Sequence, residues 1–439
     1  MKADIARSVV ALTIKILAAL SVLLLNAVIT RVLDLNEAGQ FLNINALVLL
    51  LIVLGSMGLP QVIVRQAAEL AIQQRFRELK KNIYEALILA LCMGLISVAV
   101  VIVGASALRI QSLTFQFFPI MIAWVLCAIA LRVAGGAYRG LGFTQLANLL
   151  TGVNSHGPAV TILISSALVA LAMIGKIGLY DIGLVYVGVL VIMLIPIFFF
   201  LLKFLSQKIS IKHSDSLVSD KKNQGRIAGV GATIFLTELS LYLITQGDIW
   251  VVSYWGGNES GAVYGMAAKV AIVTSLFLAA ANSVIHPWVA KFKLENNMIA
   301  MENRIRALNI FSTLPALLWV ICCVIWGGDI LAVGFGKEYA DGYSYLIILS
   351  IGQLIGVMMG PCALLLFMMG KERAMMWTSL IVLLAYMPGV FYFGKHYGVY
   401  GVAWGTAAAF SLINIVNAIL VKNYIGINCT VFSARLFQR

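Results

Sequence analysis

Apolar runs of about 20 residues recur along the whole chain, separated by short polar stretches. A helix of that length crosses roughly 30 Å of hydrocarbon. The pattern predicts helices near 9–30, 41–63, 83–104, 115–134, 146–173 and 178–202. A second set is predicted near 229–254, 262–287, 307–327, 343–369, 375–394 and 399–421. The first run is too long for a signal-peptide core and lacks a small-residue cleavage site, so it reads as an uncleaved span. The most polar stretch of the chain, rich in Ser, Asp and Lys, lies between the two sets. The predicted organisation is an N-terminal six-helix lobe (1–202), a cytoplasmic linker (203–228), a C-terminal six-helix lobe (229–421) and a cytoplasmic tail (422–439).

Two features repeat at one offset. Asn36-Glu37-Ala38-Gly39 follows the first predicted helix, and Asn258-Glu259-Ser260-Gly261 follows the seventh, 222 positions later. At the same offset, the apolar stripe Ile72, Phe76, Leu79, Ile83 is matched by Leu294, Met298, Met301, Ile305. Each stripe predicts an amphipathic helix on the cytoplasmic membrane surface. Both sets have an even number of helices, so both enter the membrane from the same side and form parallel repeats. The fold class is therefore an all-α membrane protein, with two six-helix lobes around a central cavity and free to rock between two openings. All eight prolines lie in or at the ends of spans, several beside glycine (Gly157-Pro158, Gly360-Pro361, Pro388-Gly389). They mark either ordinary kinks or breaks that line a cavity.

Composition excludes a soluble domain. Hydrophobic residues make up 62% of the chain and charged residues 11%, against about 25% charged in soluble proteins. The net charge of +13 is a topology signal: with both termini cytoplasmic, 24 of the 31 Lys and Arg fall on that side. It is not a nucleic-acid patch, though it can meet anionic headgroups of membrane lipid. The six cysteines form no C-x-x-C pair and the four histidines are scattered, so no metal, cofactor or disulfide framework is indicated. Far-side loops are short, the longest near 328–342, with no room for a catalytic domain.

Four charges fall well inside predicted spans, away from their ends: Lys15, Glu238, Asp248 and Lys269. An unpaired charge at the bilayer centre costs at least about 2.5–3.5 kcal/mol, so each needs a cavity or a partner. The repeat offset puts Lys15 and Glu238 at matching depth in the cytoplasmic half. Asp248 and Lys269 share a depth in the outer half, with Asn26 at the position equivalent to Asp248. Two readings stand side by side: a polar cavity lined by these five residues, or structural ion pairs with Lys15 snorkelling. The charges cancel, so alone they do not make a cationic cavity.

The stretch from Arg31 to Phe41 (Arg-Val-Leu-Asp-Leu-Asn-Glu-Ala-Gly-Gln-Phe) resembles the element after the first helix of Wzx-type O-antigen flippases. These are polysaccharide transporters of the multidrug/oligosaccharidyl-lipid/polysaccharide exporter superfamily. Gly136-Ala137-Tyr138-Arg139-Gly140, Gly336-Lys337-Glu338-Tyr339 and Tyr397-Gly398-Val399-Tyr400-Gly401-Val402-Ala403 are similar to further elements of that family, in order. The resemblance implies a bacterial inner-membrane flippase for undecaprenyl-pyrophosphate-linked oligosaccharide units. Its partners would be the lipid-linked oligosaccharide, membrane lipid, a polysaccharide polymerase and a chain-length regulator. Arg65, Arg132 and Arg139 are candidates to capture pyrophosphate, since guanidinium binds phosphate bidentately; taken singly, each reads first as a topology charge. A cation-coupled multidrug exporter of the same superfamily is the alternative, but it is expected to carry an acidic residue in helix 1, where this chain has Lys15. A peptidoglycan-precursor flippase is expected to have two more C-terminal helices. A membrane enzyme of polysaccharide synthesis is the remote alternative. It would need acid/base groups near the outer surface, where only scattered carboxylates lie.

Overall fold

The computed structural model describes residues 2–107, 117–152, 156–211, 221–294 and 297–432. Arg109, residues 212–220 of the linker and residues 433–439 of the tail lie outside them. The described residues form helices and their connections, with no strand among them. The helices are α1 (Lys2–Val32), α2 (Leu35–Ser56), α3 (Leu59–Ile72), α4 (Phe76–Ala107), α5 (Phe118–Gly140), α6 (Thr144–Leu150), α7 (Pro158–Ala172) and α8 (Leu179–Ile211). There follow α9 (Lys221–Gln246), α10 (Asp248–Ala271), α11 (Val273–Leu294), α12 (Met298–Phe335), α13 (Tyr343–Met359), α14 (Cys362–Met368) and α15 (Glu372–Ile425). Among the described residues, nine segments are long and apolar enough to cross a membrane, and α7 is a shorter apolar helix. The protein is an all-helical, multi-pass membrane protein.

Several predicted boundaries become breaks inside longer helical segments. α15 runs for 54 residues and turns at Gly398, whose φ of 59° is open to glycine. Gly398 is where the predicted loop between the last two helices falls. Gly257, at φ 80°, does the same for the predicted loop between helices 7 and 8. Predicted helix 5 is two pieces, α6 and α7, separated by residues 151–157. Predicted helix 10 is likewise split into α13 and α14 at Gly360-Pro361.

The repeat has a structural counterpart. α4 starts at Phe76 and α12 at Met298, separated by the same 222 positions as Asn36 and Asn258. The first amphipathic stripe is corrected by the end of α3 at Ile72. Ile72 ends α3 exposed and belongs to a different helix from buried Leu79 and Ile83. The inward face of α3 is instead Pro60, Ile63, Ala67 and Leu70.

The chain forms two compact units: 44–239, called here the N-unit, and 1–43 with 240–439, the C-unit. They differ from the lobes drawn at the linker by exchanging helices. α1 packs on α11 and α12, within the C-unit. The part of α9 before Ser240 packs among N-unit helices: left-handed Gly58 lies against the carbonyl of Gly231, where a Cβ would come within 2.6 Å.

Candidate functional site

Each unit holds its own polar cluster. In the N-unit the frame is α5, whose Gly135, Gly136 and Gly140 allow close approach. A Cβ on Gly136 would lie 2.5 Å from the carbonyl oxygen of Pro60, and one on Gly135 2.5 Å from Thr151. Predicted helix 4 stops at 134, but α5 continues to Gly140, so Arg132 and Arg139 lie seven residues apart on one helix face. Arg132 Nη2 is 3.2 Å from Glu238 Oε2 of α9, with side chains 18% and 27% exposed. Its Nη1 donates to Ser56 Oγ at 3.4 Å. Arg139 Nη2 donates to Thr151 Oγ1 at 2.8 Å and to the Thr151 carbonyl at 3.2 Å. Arg139 therefore satisfies backbone freed where helix 5 is interrupted, the condition under which a broken helix is tolerated in a membrane. Behind it Trp124 Nε1 donates to His156 Nε2 at 3.4 Å, and Tyr186 stacks on Trp124. Arg65, on α3, is exposed; a Cβ on Gly140 of α5 would lie 2.5 Å from the carbonyl oxygen of its neighbour Val64.

In the C-unit Gly247, itself helical in φ and ψ, stands between α9 and α10, and Asp248 opens α10. Asp248 is buried. Its Oδ2 accepts from Tyr264 Oη at 2.6 Å and Thr406 Oγ1 at 3.3 Å, and its Oδ1 from the amide of Ile249 at 3.0 Å. Tyr386 Oη lies 2.9 Å from Thr406 Oγ1 and extends the network. Lys269 is buried too, but it does not pair with Asp248. Among the described residues no carboxylate lies within ion-pairing distance of it, and its Nζ donates to Gln246 Oε1 at 3.4 Å. Lys15 is part-buried, and its Nζ donates to the carbonyl of Ala279 on α11 at 2.7 Å. Asn26 bonds back within α1 to the Val22 carbonyl and does not join the Asp248 network.

The structure thus brings together Arg132 with Glu238, and sets Arg139 on the same face of α5. It gives Lys15, Asn26, Asp248 and Lys269 separate partners. The four span charges still cancel; beside Glu238 the N-unit adds two guanidinium groups, Arg132 and Arg139, on one face of α5. Sequence reading misses Tyr264, Tyr386 and Thr406, since separations of 16 and 158 residues from Asp248 carry no linear pattern. Glu302 and Arg306 fall between predicted spans. Both are buried on α12, where Arg306 Nε and Nη2 have no hydrogen-bond partner among the described residues. The Arg31–Phe41 element has a local explanation. Arg31 donates to the Val333 carbonyl at 2.8 Å and Asp34 Oδ1 accepts from the Glu37 amide at 2.7 Å. Gly39 is required because a Cβ would lie 1.9 Å from the Asn258 carbonyl oxygen. Asn36 and Asn258, equivalent in the repeat, hydrogen-bond to each other at 3.0 Å.

Solved structures share the fold at low identity. One is an inward-facing multidrug resistance MATE family transporter of the MOP superfamily (TM-score 0.71, 15% identity, 95% of this chain and 98% of that one). Another is the lipid II flippase MurJ in an inward closed conformation (TM-score 0.60, 15% identity, 95% and 87%). A third is a MATE transporter in the bent conformation (TM-score 0.63, 16% identity, 97% and 95%). No curated protein matches the chain by sequence. The likeness shows a fold shared with these transporters and this flippase. The profile of one family matches residues 5–293, well over half the chain, and the protein belongs to that family, the polysaccharide biosynthesis proteins.

Proposed function

We propose that the protein is a flippase. It carries oligosaccharide units linked to undecaprenyl pyrophosphate from the cytoplasmic to the periplasmic leaflet of a bacterial inner membrane, by alternating access, with both termini cytoplasmic. Family membership supports a role in polysaccharide biosynthesis, and the fold is shared with a lipid II flippase. The observation that carries the reading is the Arg132–Glu238 pair, partly open and within bonding reach of one hydroxyl. A pyrophosphate offers guanidinium the same bidentate geometry as a carboxylate, with more charge. It can therefore take Glu238's place on Arg132, with Arg139 next along the helix face. The prenyl tail stays in lipid while the polar head passes. Lys15 and Lys269, each bonded to a neutral oxygen, are further candidates to meet the anionic head; Asn26 and Asp248 are candidates to line its path, and Arg65 to meet it first.

The test is complementation of a strain lacking its own flippase. Arg132→Ala should abolish surface polysaccharide and raise lipid-linked intermediate, while the protein remains in the membrane. Arg132→Lys should restore part of the export. Normal export by Arg132→Ala would overturn the reading. A second reading, a cation-coupled multidrug exporter, is favoured by the TM-score of 0.71 with a MATE family transporter. Drug resistance conferred in a sensitive strain, without polysaccharide complementation, would select it.

A further inference from the structure

The break in predicted helix 10 is closed by the segment that follows α15. α13 stops at Met359, Gly360 turns at φ 84° and α14 begins at Cys362. This leaves carbonyls of the last turn without helical partners. The segment after α15 folds back to meet them. The amide of Val431 donates to the Met358 carbonyl at 3.1 Å. Asn309 Nδ2 of α12 donates to the Met358 carbonyl and to the Cys429 carbonyl at 3.2 and 3.0 Å. Ile427 and Cys429 enter a buried apolar cluster with Ile285, Met301 and Leu365. A Cβ on Gly360 would lie 2.8 Å from the Cys429 carbonyl oxygen, so only glycine lets the segment in.

This docking places two buried free thiols in contact. Cys362 Sγ and Cys429 Sγ are 3.1 Å apart, and both sulfurs lie near the Met359 carbonyl. They are 67 positions apart in sequence, so nothing in the spacing marks them as a pair. We propose that Cys362 and Cys429 form a redox latch, closing to a disulfide by exchange with a low-molecular-weight disulfide and pinning the C-terminal segment across the break. Both thiols are shielded while docked. Fraying of the segment after α15 exposes Cys429 first, because it lies on the segment that leaves. Its thiolate attacks the small disulfide, forms a mixed disulfide and releases one small thiol. When the segment redocks, the thiolate of Cys362 attacks the Cys429 sulfur and the second small thiol leaves. Two electrons pass from the protein thiols to the small disulfide, and the two protons end on the released thiols. In a reducing compartment the pair stays as a dithiol, and an oxidising shift closes it.

The experiment uses the full chain in detergent, with Cys92, Cys127, Cys322 and Cys323 replaced by alanine. After incubation with oxidised glutathione, remaining thiols are alkylated and the protein is examined by intact and peptide mass spectrometry. The expected result is loss of two hydrogen atoms, a linked peptide pair containing Cys362 and Cys429, and full reversal by dithiothreitol. C429S should abolish the linked pair. Asn309→Ala, which loosens the docked segment, should speed closure several-fold. Where the four-alanine background fails to accumulate, the same peptide mapping is made on the unaltered chain. Two thiols still open to alkylation after oxidation, glutathione persisting on either cysteine, or a link joining other cysteines would each overturn the latch.

Discussion

The two membrane-embedded carboxylates are held in opposite ways. Asp248 in the C-unit is buried and takes two hydroxyl groups and a backbone amide, with Tyr386 completing the network behind. Glu238 in the N-unit is a quarter exposed and takes one guanidinium at 3.2 Å. A buried acceptor with its lone pairs filled by neutral donors fixes packing, because those donors lose their best-placed acceptor if it goes. An anion taking Glu238's place on Arg132 would leave the guanidinium still paired and not bare. The contrast sets a carboxylate with three donors against one with a single charged partner, and the proposed exchange concerns only the second.

The comparison can be broken most sharply at Asp248. Asp248→Ala takes from the Tyr264 and Thr406 hydroxyls their shared acceptor, leaving Tyr264 only the 3.5 Å contact to Thr406, and removes the carboxylate at the start of α10. Each hydrogen bond to a charged group is worth about 1.5–3 kcal/mol. The variant should therefore show a large fall in the amount of monodisperse protein extracted and in its thermal midpoint. Asp248→Asn keeps an acceptor oxygen and should lose less. If Asp248→Ala folds normally and only export fails, Asp248 belongs with the exchangeable groups and the distinction collapses.

Gly39→Ala should come next. Its added methyl meets backbone, not a movable side chain, at the Asn258 carbonyl. Overpacking of this kind typically costs about 1–3 kcal/mol. Thermal unfolding of the purified variant measures the loss, and Gly39→Ser should behave alike. An unchanged midpoint would show that the contact between the two equivalent motifs yields easily.

Glu238→Gln keeps an acceptor oxygen beside Arg132 but removes its counter-charge; an unpaired charge in the bilayer costs about 2.5–3.5 kcal/mol, and the thermal midpoint should fall by less than that because the amide still accepts from the guanidinium. Freed of its competitor, Arg132 should bind inorganic pyrophosphate more tightly, which titration of the purified variant would detect. Unchanged binding would mean that Glu238 does not compete for Arg132. The smallest effect is expected at Lys269→Met. Its ammonium bonds to an amide oxygen at 3.4 Å, and an apolar residue of similar length in such a place is often neutral or stabilising. A marked loss of stability there would reveal a structural cation in the C-unit.

Much of the fold is legible because the bilayer imposes one simple rule. Every spanning segment must be apolar and must satisfy its own backbone, so helices near 9–30, 83–104 and 178–202 stand out as runs. The breaks are less legible. Gly257 and Gly398 are visible as glycines, but the residues on either side continue as helix and no polar loop announces the turn. The helix end at Ile72 falls inside a stripe that reads as continuous by periodicity, because an i, i+4 pattern continues across the three-residue gap to Phe76. Buried charges are legible one at a time, since a charge in an apolar run needs a partner. The partners are not: Arg132 sits near a predicted helix end and reads as a surface charge, while tyrosine and threonine hydroxyls look like ordinary span residues until the helices meet.

The interruption of helix 5 also bears on how the chain enters the membrane during synthesis. α7 has 15 residues, about 22 Å of helix at about 1.5 Å per residue, against roughly 30 Å of hydrocarbon. Alone it is too short to hold a transmembrane position, and the residues before it are extended at Thr151 and Gly157. α8, with 33 residues, follows after a short connection and packs against it. The two helices are therefore best inserted as a hairpin, with α8 serving as the anchor that retains α7. A nascent chain that stalls before α8 emerges would lack that anchor, making this interval a natural point for quality control to recognise an unfinished protein.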